Sequence, residues 1–365
     1  MFRDIVTLLP FFVCLFWTAV MAADLKRSKL PQKLILIFMG VSTILYFSHS
    51  VYFYGYSRIY SVIDSLYSIA MLSVYPLFYL YIQSLAKEPL LSLKNLNIFI
   101  PTLIGSLLVI LAHLFAQGLV DIAGKIVRLI FVVQVPLVVV YGCRLIRNYH
   151  KRINEYYSST EGRELDWLNR MLFLLFFTGL LSVSAGIIGR DYFSESSLLL
   201  MMPSFAFSLM LFYIGHTGYI QRFSVLDFNE ESHEAKPEGR EEQNECSKGI
   251  QEKTRDKIKG ELLVLFREKE IFRRRDLRIT DVSMELGTNR SYVSSVVNVV
   301  YNTTFTDFVN HYRVEYAKKL LLSDENHILE YIAEESGFAS VNSLLRAFRK
   351  ETGTTPGQFR KRMVG

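Results

Sequence analysis

The chain has 365 residues, of which half are hydrophobic and 14% aromatic, and its formal net charge is +6. A mean hydropathy of +0.22 is too apolar for an ordinary soluble protein and too polar for a chain that lies in a membrane throughout. Two unlike parts produce that average: long apolar runs dominate residues 1–220, and residues 224–365 hold most of the charge. The three cysteines, Cys14, Cys143 and Cys246, are widely separated and form neither a C-x-x-C nor a metal-ligand spacing, which argues against a disulfide framework and a metal centre.

In chain order, the first apolar run is Ile5–Ala22. Its end, Ala19-Val20-Met21-Ala22-Ala23, has the small residues of a signal-peptide cleavage site. The run nevertheless approaches a full span, and its positive cluster (Lys26, Arg27, Lys29, Lys33) follows rather than precedes it. It therefore reads as a first transmembrane helix. Further runs follow at Leu34–Tyr54, Ile59–Leu85, Leu96–Phe115, Ile126–Ile146, Leu168–Ile188 and Ser197–Ile220. Each is close to the ~20 residues that a helix needs to cross the hydrocarbon, so the expectation is a bundle of about seven spans. Pro76, Pro101, Pro136 and Pro203 fall inside or at the edge of these runs, where neighbouring helices can satisfy the freed carbonyls.

Loop charges set the expected orientation. Lys26/Arg27/Lys29/Lys33, Lys87/Lys94 and Arg144/Arg147/Lys151/Arg152/Arg163/Arg170 fall in alternate loops, while the others hold isolated charges such as Arg58, Lys125 and Arg190. The positive-inside rule assigns the rich loops to the cytoplasm. Seven spans then place the N-terminus outside a bacterial inner (cytoplasmic) membrane and the C-terminal region inside, whereas six would strand it outside. Tyr52, Phe53, Tyr54, Tyr56 and Tyr60 read as an aromatic belt at the outer interface. His49, Asp64 and His113 lie toward the outer ends of their helices. Ionisable groups at membrane depth are expensive, so these three are candidates for a signal pocket, against simple solvation at the interface. The runs contain no nucleophile arrangement, acid/base pair or metal spacing, so no catalytic residue, metal or cofactor is expected.

Residues 1–222 thus form one membrane domain and 223–253 a linker. The linker carries Asp227, Glu230, Glu231, Glu234, Glu238, Glu241, Glu242, Glu245 and Glu252 with few aromatics, a composition that favours a flexible, solvated spacer. Residues 254–365 read as an all-helical domain. Thr254–Phe272 has helical apolar spacing at Ile258, Leu262, Leu265 and Phe266. Two copies of a short helix, a turn and a second helix follow. The first runs from Thr280 to Leu286, turns at Gly287-Thr288-Asn289 and continues from Arg290 to Val300; the second runs from Ile328 to Glu335, turns at Ser336-Gly337-Phe338-Ala339 and continues from Ser340 to Lys350. Gly287 and Gly337 stand where a left-handed residue ends a helix, and Asn289 and Ser340 stand where an N-cap accepts the first free amides of the next. This is the logic of a helix-turn-helix, whose second helix enters a major groove. Phe305–Leu322, opened by Thr304-Phe305-Thr306-Asp307, joins the two devices, and Thr355-Pro356 suits the start of a short last helix. The basic run Lys257, Lys259, Arg273–Arg275 and Arg278 is either a phosphate-backbone contact or a solvated face.

The pattern Phe305-x-x-Phe308-x-Asn310-x-Tyr312-Arg313-Val314-x-x-Ala317-x-x-Leu320-Leu321 resembles the linker helix of the AraC/XylS transcriptional regulators. Ile332-Ala333-x-x-Ser336-Gly337-Phe338-x-Ser340, with Phe348-Arg349-Lys350-x-x-Gly353-x-Thr355-Pro356-x-x-Phe359-Arg360, resembles that family's C-terminal signature. The resemblance covers roughly the last hundred residues. It implies two helix-turn-helix units on one face of double-stranded promoter DNA. Base contacts then fall near Arg290, Ser291, Ser294 and Ser295 in the first unit and near Val341, Asn342, Leu345 and Arg346 in the second. Arg290 and Arg346 suit guanine and Asn342 suits adenine. Ser295 departs from the basic residue common in the family, and Val341 and Leu345 offer only apolar contact. Thr280, Arg313, Arg349 and Lys350 fall to phosphate contacts. A membrane-bound regulator of this kind implies the lipid bilayer, promoter DNA and a signal ligand or membrane partner as its contacts, with a homodimer as a means to tighter binding. The competing reading, a transporter or membrane enzyme with a regulatory module, requires ionisable residues at mid-bilayer, where the runs are mainly uncharged. A third, a DNA–membrane anchor without sensing, differs from the first only in its response to a signal.

Overall fold

The computed structural model describes residues 2–53, 60–86, 97–188, 197–221, 224, 227–228, 252–323, 325 and 327–364. The fold is all-α: the described residues form fourteen α-helices and no strand beyond one isolated antiparallel bridge between Tyr157 and Arg278. It divides into two compact units, Met1–Arg147 with Leu165–Asp227, and Asn148–Glu164 with Phe228–Gly365. Nearly all of the acidic linker, the Lys87/Lys94 loop, Tyr54 and Tyr56 lie outside the described residues.

The first unit is built from α1 (Phe2–Ala23), α2 (Leu30–Phe53), α3 (Tyr60–Ala86), α4 (Ile100–Phe115), α5 (Val120–Tyr156), α6 (Asp166–Ile188) and α7 (Ser197–Ile220). All seven are long and apolar enough to cross a membrane. Neighbouring helices pair as α1–α2, α2–α3, α3–α4, α1–α7 and α6–α7. Some polar groups inside the bundle are satisfied across helices. Tyr75 Oη donates to the Leu175 carbonyl (2.8 Å), Thr102 Oγ1 to the Leu72 carbonyl (2.8 Å), and Gln134 Nε2 to Thr102 Oγ1 (3.1 Å). Close approach needs a missing side chain where α1 meets α7, since a Cβ on Gly215 would lie 2.4 Å from the Trp17 ring. Outward positions are apolar and exposed, among them Phe12, Leu103, Leu107, Phe115, Phe177 and Leu198.

Six of the seven expected runs match their helices within a few residues. The fifth does not: the apolar run Ile126–Ile146 is the middle of α5, which has 37 residues and is about 55 Å long. Loss of hydrophobicity does not end a helix. Arg147–Tyr156 holds no Gly or Pro, so nothing breaks α5 until Ser158-Ser159-Thr160-Glu161-Gly162, where Gly162 takes φ +76. Its last turns, from Asn148 onward, belong to the second unit.

The second unit adds α8 (Glu252–Arg267), α9 (Ile279–Glu285), α10 (Arg290–Ser295), α11 (Phe305–Leu321), α12 (Leu329–Glu335), α13 (Val341–Thr352) and α14 (Pro356–Val364). The helix expected over Thr254–Phe272 stops at Arg267. Glu270 takes a left-handed φ of 46 there, and the chain folds back through a 3₁₀ turn at Ile271–Arg273 that buries Ile271 and Phe272. The helix expected to run from Arg290 to Val300 is regular to Ser295 and continues as a π-turn over Val296–Val300. This wider turn carries both Val296 and Val297 into the core. α11 runs between the two devices: Phe308 and Tyr312 pack on Phe266 on one side, and Val314, Ala317 and Leu321 form a cluster with Ile332, Ala333, Phe338, Leu344 and Phe348 on the other.

Candidate nucleic-acid interface

Each device is held in shape by its turn. Gly287 and Gly337 have φ of +59 and +79, as a helix stop requires. At Gly337 the demand is steric as well: a Cβ would sit 2.6 Å from the Phe272 carbonyl oxygen. Asn289 Oδ1 accepts the Ser291 amide at the start of α10. Ser340 Oγ accepts the Ser343 amide, and Ser343 Oγ accepts the Ser340 amide, a reciprocal cap on α13. Thr304 Oγ1 accepts the Asp307 amide at the start of α11, and Thr355 Oγ1 accepts the Gln358 amide ahead of Pro356 in α14. Every cap read from the sequence is present.

α13 presents the richest polar face. Asn342, Arg346, Arg349 and Lys350 are exposed and Leu345 is half-buried, while Leu344 and Phe348 face the core. On α10, Ser291 is exposed and Arg290, Ser294 and Ser295 are half-buried around buried Val293; Ser294 Oγ accepts from Asn298 Nδ2 (3.1 Å). Several of these groups already have partners. Arg346 Nη1 lies 3.1 Å from both carboxylate oxygens of Glu164, Ser340 Oγ lies 3.0 Å from Glu161 Oε2, Lys350 Nζ pairs with Asp307 at 2.6 Å, and the Arg290 guanidinium sits 5.9 Å from the Tyr156 ring.

Two residues expected on phosphates are not available for them. Arg313 is fully buried. Its guanidinium donates to the carbonyls of Phe272 (2.8 Å), Arg274 (2.7 Å), Arg275 (3.2 Å) and Ser158 (3.5 Å) and to Ser158 Oγ (3.1 Å). Desolvation pushes its pKa down to about 10, and it remains charged at neutral pH. Thr280 is also buried, with its hydroxyl 3.5 Å from Tyr156 Oη. The centre of the basic run is exposed and has partners within the domain. Arg273 pairs with Glu270 and Glu335, Arg274 with Glu285, and Arg275 donates to the Ala339 carbonyl, so these arginines staple one device to the other.

The contribution of Asn148–Glu164 to this domain is absent from the sequence reading. Ser158 gives its amide to the Leu277 carbonyl (3.0 Å), and Thr306 Oγ1 lies 3.0 and 2.6 Å from the carbonyls of Asn154 and Tyr157. These partners are about 120 to 155 positions apart in the chain, so no local pattern announces them. In the first unit, His49 and Asp64 line one cavity of about 460 Å³, with Lys125 and Arg128 at the same end of the bundle; His113 does not line it. Among the described residues no group of three or more His, Cys, Asp or Glu side chains is placed to hold a metal ion.

Residues 282–362 match the family model described as a helix-turn-helix domain. Similar proteins include an uncharacterized HTH-type transcriptional regulator encoded in the cgkA 5′ region of Pseudoalteromonas carrageenovora, 33% identical over 24% of this chain and 50% of its own length. Another is the HTH-type transcriptional regulator YtdP of Bacillus subtilis, 28% identical over 24% of this chain and 11% of its own. A third, from Staphylococcus aureus strain N315, is 33% identical over 23% of this chain and 11% of its own. The chain thus spans half or less of the length of the curated relatives it matches. No solved structure matches it. The C-terminal region is a helix-turn-helix domain of the AraC type, the kind carried by transcription regulators rather than by enzymes.

Proposed function

We propose that this chain is a membrane-embedded, sequence-specific transcription regulator: α1–α7 span the bacterial inner membrane, and the domain from α8 to α14 reads promoter DNA in the cytoplasm. The observation that carries this reading is the union, in one chain, of seven span-length apolar helices with two capped helix-turn-helix units. Outward apolar side chains such as Leu103, Phe115 and Phe177 suit lipid, since an aqueous surface would not tolerate so continuous a patch. Arg346 on α13 supplies two donors for a guanine edge and Asn342 a donor and an acceptor for an adenine edge, with Arg290, Ser291, Ser294 and Ser295 as the shorter first reader and Arg349 and Lys350 on phosphates.

The test is selection from random duplex DNA by the full chain in lipid nanodiscs at low salt. A bipartite site with half-sites about one helical turn apart is expected, doubled if two chains bind side by side. Arg346→Ala should relax one position of that site and weaken binding there by about ten- to a hundredfold. Enrichment indifferent to sequence would sink the reading.

The signal is assigned to the 460 Å³ cavity of the first unit. Asp64, Lys125 and Arg128 line it together with Phe38, Met71 and Leu211, while the buried hydroxyl of Ser42 has no hydrogen-bond partner among the described residues. That lining suits a small amphipathic molecule, with its charged or polar head against Asp64, Lys125 and Arg128 and its apolar body against the apolar side chains. Ser42→Phe, which fills the cavity, should leave DNA binding intact and hold promoter output constant across growth conditions that change it in the wild type. A variant that still responds would remove the cavity from the mechanism.

A further inference from the structure

Glu161 and Glu164 are acidic residues placed against the DNA-reading helix of the same chain. Glu164 is 3.1 Å from Arg346 through both oxygens, and Glu161 is 3.0 Å from Ser340, the N-cap of α13. Thr160 Oγ1 donates to the same Glu164 carboxylate (2.7 Å), and Gly162, at φ +76, makes the turn that presents both acids. We propose that Asn148–Glu164 is an autoinhibitory arm whose two carboxylates occupy the donors of α13 that double-stranded DNA would use, and that release of this arm is the regulated step. The inference rests on the assignment of α13 as a DNA reader.

The arm has a fixed base and a releasable tip. At the base, Ser158 accepts from buried Arg313 and gives its amide to Leu277, and Thr306 bonds to the carbonyls of Asn154 and Tyr157. Buried charge-assisted contacts of this kind are costly to break. At the tip, Arg346 is 56% and Glu164 32% exposed, and exposed ion pairs are weak and salt-sensitive. The tip is therefore the part that opens. While closed, it removes the bidentate donor from Arg346 and sets two negative charges where phosphates would approach. The arm is joined directly to membrane-length helices at both ends: α5 runs into it at Asn148–Tyr156, and α6 begins at Asp166, two residues beyond Glu164. A displacement of α6 along its axis is passed to the tip by chain connectivity alone. A signal that favours the displaced arrangement shifts the arm from closed to open.

The experiment uses the full chain in nanodiscs and a labelled random-sequence duplex pool, with four proteins: wild type, Glu161→Gln/Glu164→Gln, Arg346→Ala, and the triple variant. Glutamine keeps the shape and the hydrogen-bond acceptor and removes the charge. The double variant should bind the pool roughly three- to tenfold more tightly than wild type, as loss of two weak contacts allows. The gain should disappear in the triple variant. Equal binding by wild type and the double variant, with Arg346→Ala still weakening both, overturns the arm and leaves DNA reading intact. Binding that is unchanged by Arg346→Ala in either background overturns the DNA reading of α13, and the arm falls with it. A parallel readout guards against misfolding: proteolysis between Ser158 and Asp166 should become faster in the double variant, and unchanged cleavage overturns a closed tip.

Discussion

At the scale of single residues, identical side-chain types have opposite duties according to burial. Arg313 and Arg346 both fit a motif of basic residues that face DNA. Arg346 is solvent-facing on α13, whereas Arg313 is enclosed, with four carbonyls and one hydroxyl within donor reach. A guanidinium in that position organises three loop carbonyls from Phe272 to Arg275 that have no helix or strand to pair with. Replacement by leucine would take this partner from the Phe272 and Arg275 carbonyls, while that of Arg274 keeps the Leu277 amide, at a cost of about 1–3 kcal/mol for each group left without a partner that water cannot reach. Arg313→Leu is therefore expected to lower the unfolding midpoint of the C-terminal unit by many degrees. Arg313→Lys should recover only part of the loss, because an ammonium has three donors and no planar fork. Arg346→Ala should leave that midpoint within the scatter expected of surface changes. Site-specific hydrogen exchange in α11 and in the Phe272–Arg275 loop measures the difference, and equal protection in Arg313→Leu and wild type would deny Arg313 its structural role.

At the scale of elements, local chemistry fixed the boundaries that the sequence made visible. Glycines with positive φ, Ser, Thr and Asn caps and the Thr355-Pro356 start are decided within three or four residues. They were legible as far as the exact capping oxygens of Asn289, Ser340 and Thr304. Span-length apolar runs were legible for the same reason, since hydrophobicity is additive along a window. The failures share a cause. α5 continues past its apolar run because no breaker intervenes, and hydropathy does not register a polar helix that extends an apolar one. The helix from Thr254 stops at Arg267 rather than Phe272 because burial of Ile271 and Phe272 outweighs continuation. Charge alone does not reveal that the exposed Arg273–Arg275 pair with Glu335, Glu285 and the Ala339 carbonyl. Glu161 and Glu164 lie in a loop whose sequence signal is its basic residues. Their partners lie 179 and 182 positions away, a separation that no periodicity or cap encodes.

At the scale of the whole molecule, the proposal stands or falls on which side of the membrane each end occupies. Basic residues cluster after α1, along the last turns of α5 and at Arg163 and Arg170, while the α2–α3 and α4–α5 connections are sparse in charge, and under the positive-inside rule the proposed orientation has Asp64 toward the outside. In that proposed orientation an odd number of spans brings the helix-turn-helix domain to the compartment that holds DNA. Asp64 lines the cavity and belongs to the outward end of α3, so a cysteine there should be reached from outside if the cavity is a port for an external molecule. Ser291 on α10 is exposed and belongs to the domain assigned to the cytoplasm. Asp64→Cys and Ser291→Cys chains in intact cells are then expected to differ. A membrane-impermeant maleimide should label Asp64→Cys above the wild-type background set by Cys14, Cys143 and Cys246, and should label Ser291→Cys only after the membrane is opened. Labelling of Ser291→Cys in intact cells would invert the orientation and end the case for a tethered promoter reader. Labelling of neither in intact cells would keep the DNA domain inside but close the cavity to the outside, so that its ligand would have to enter through the bilayer.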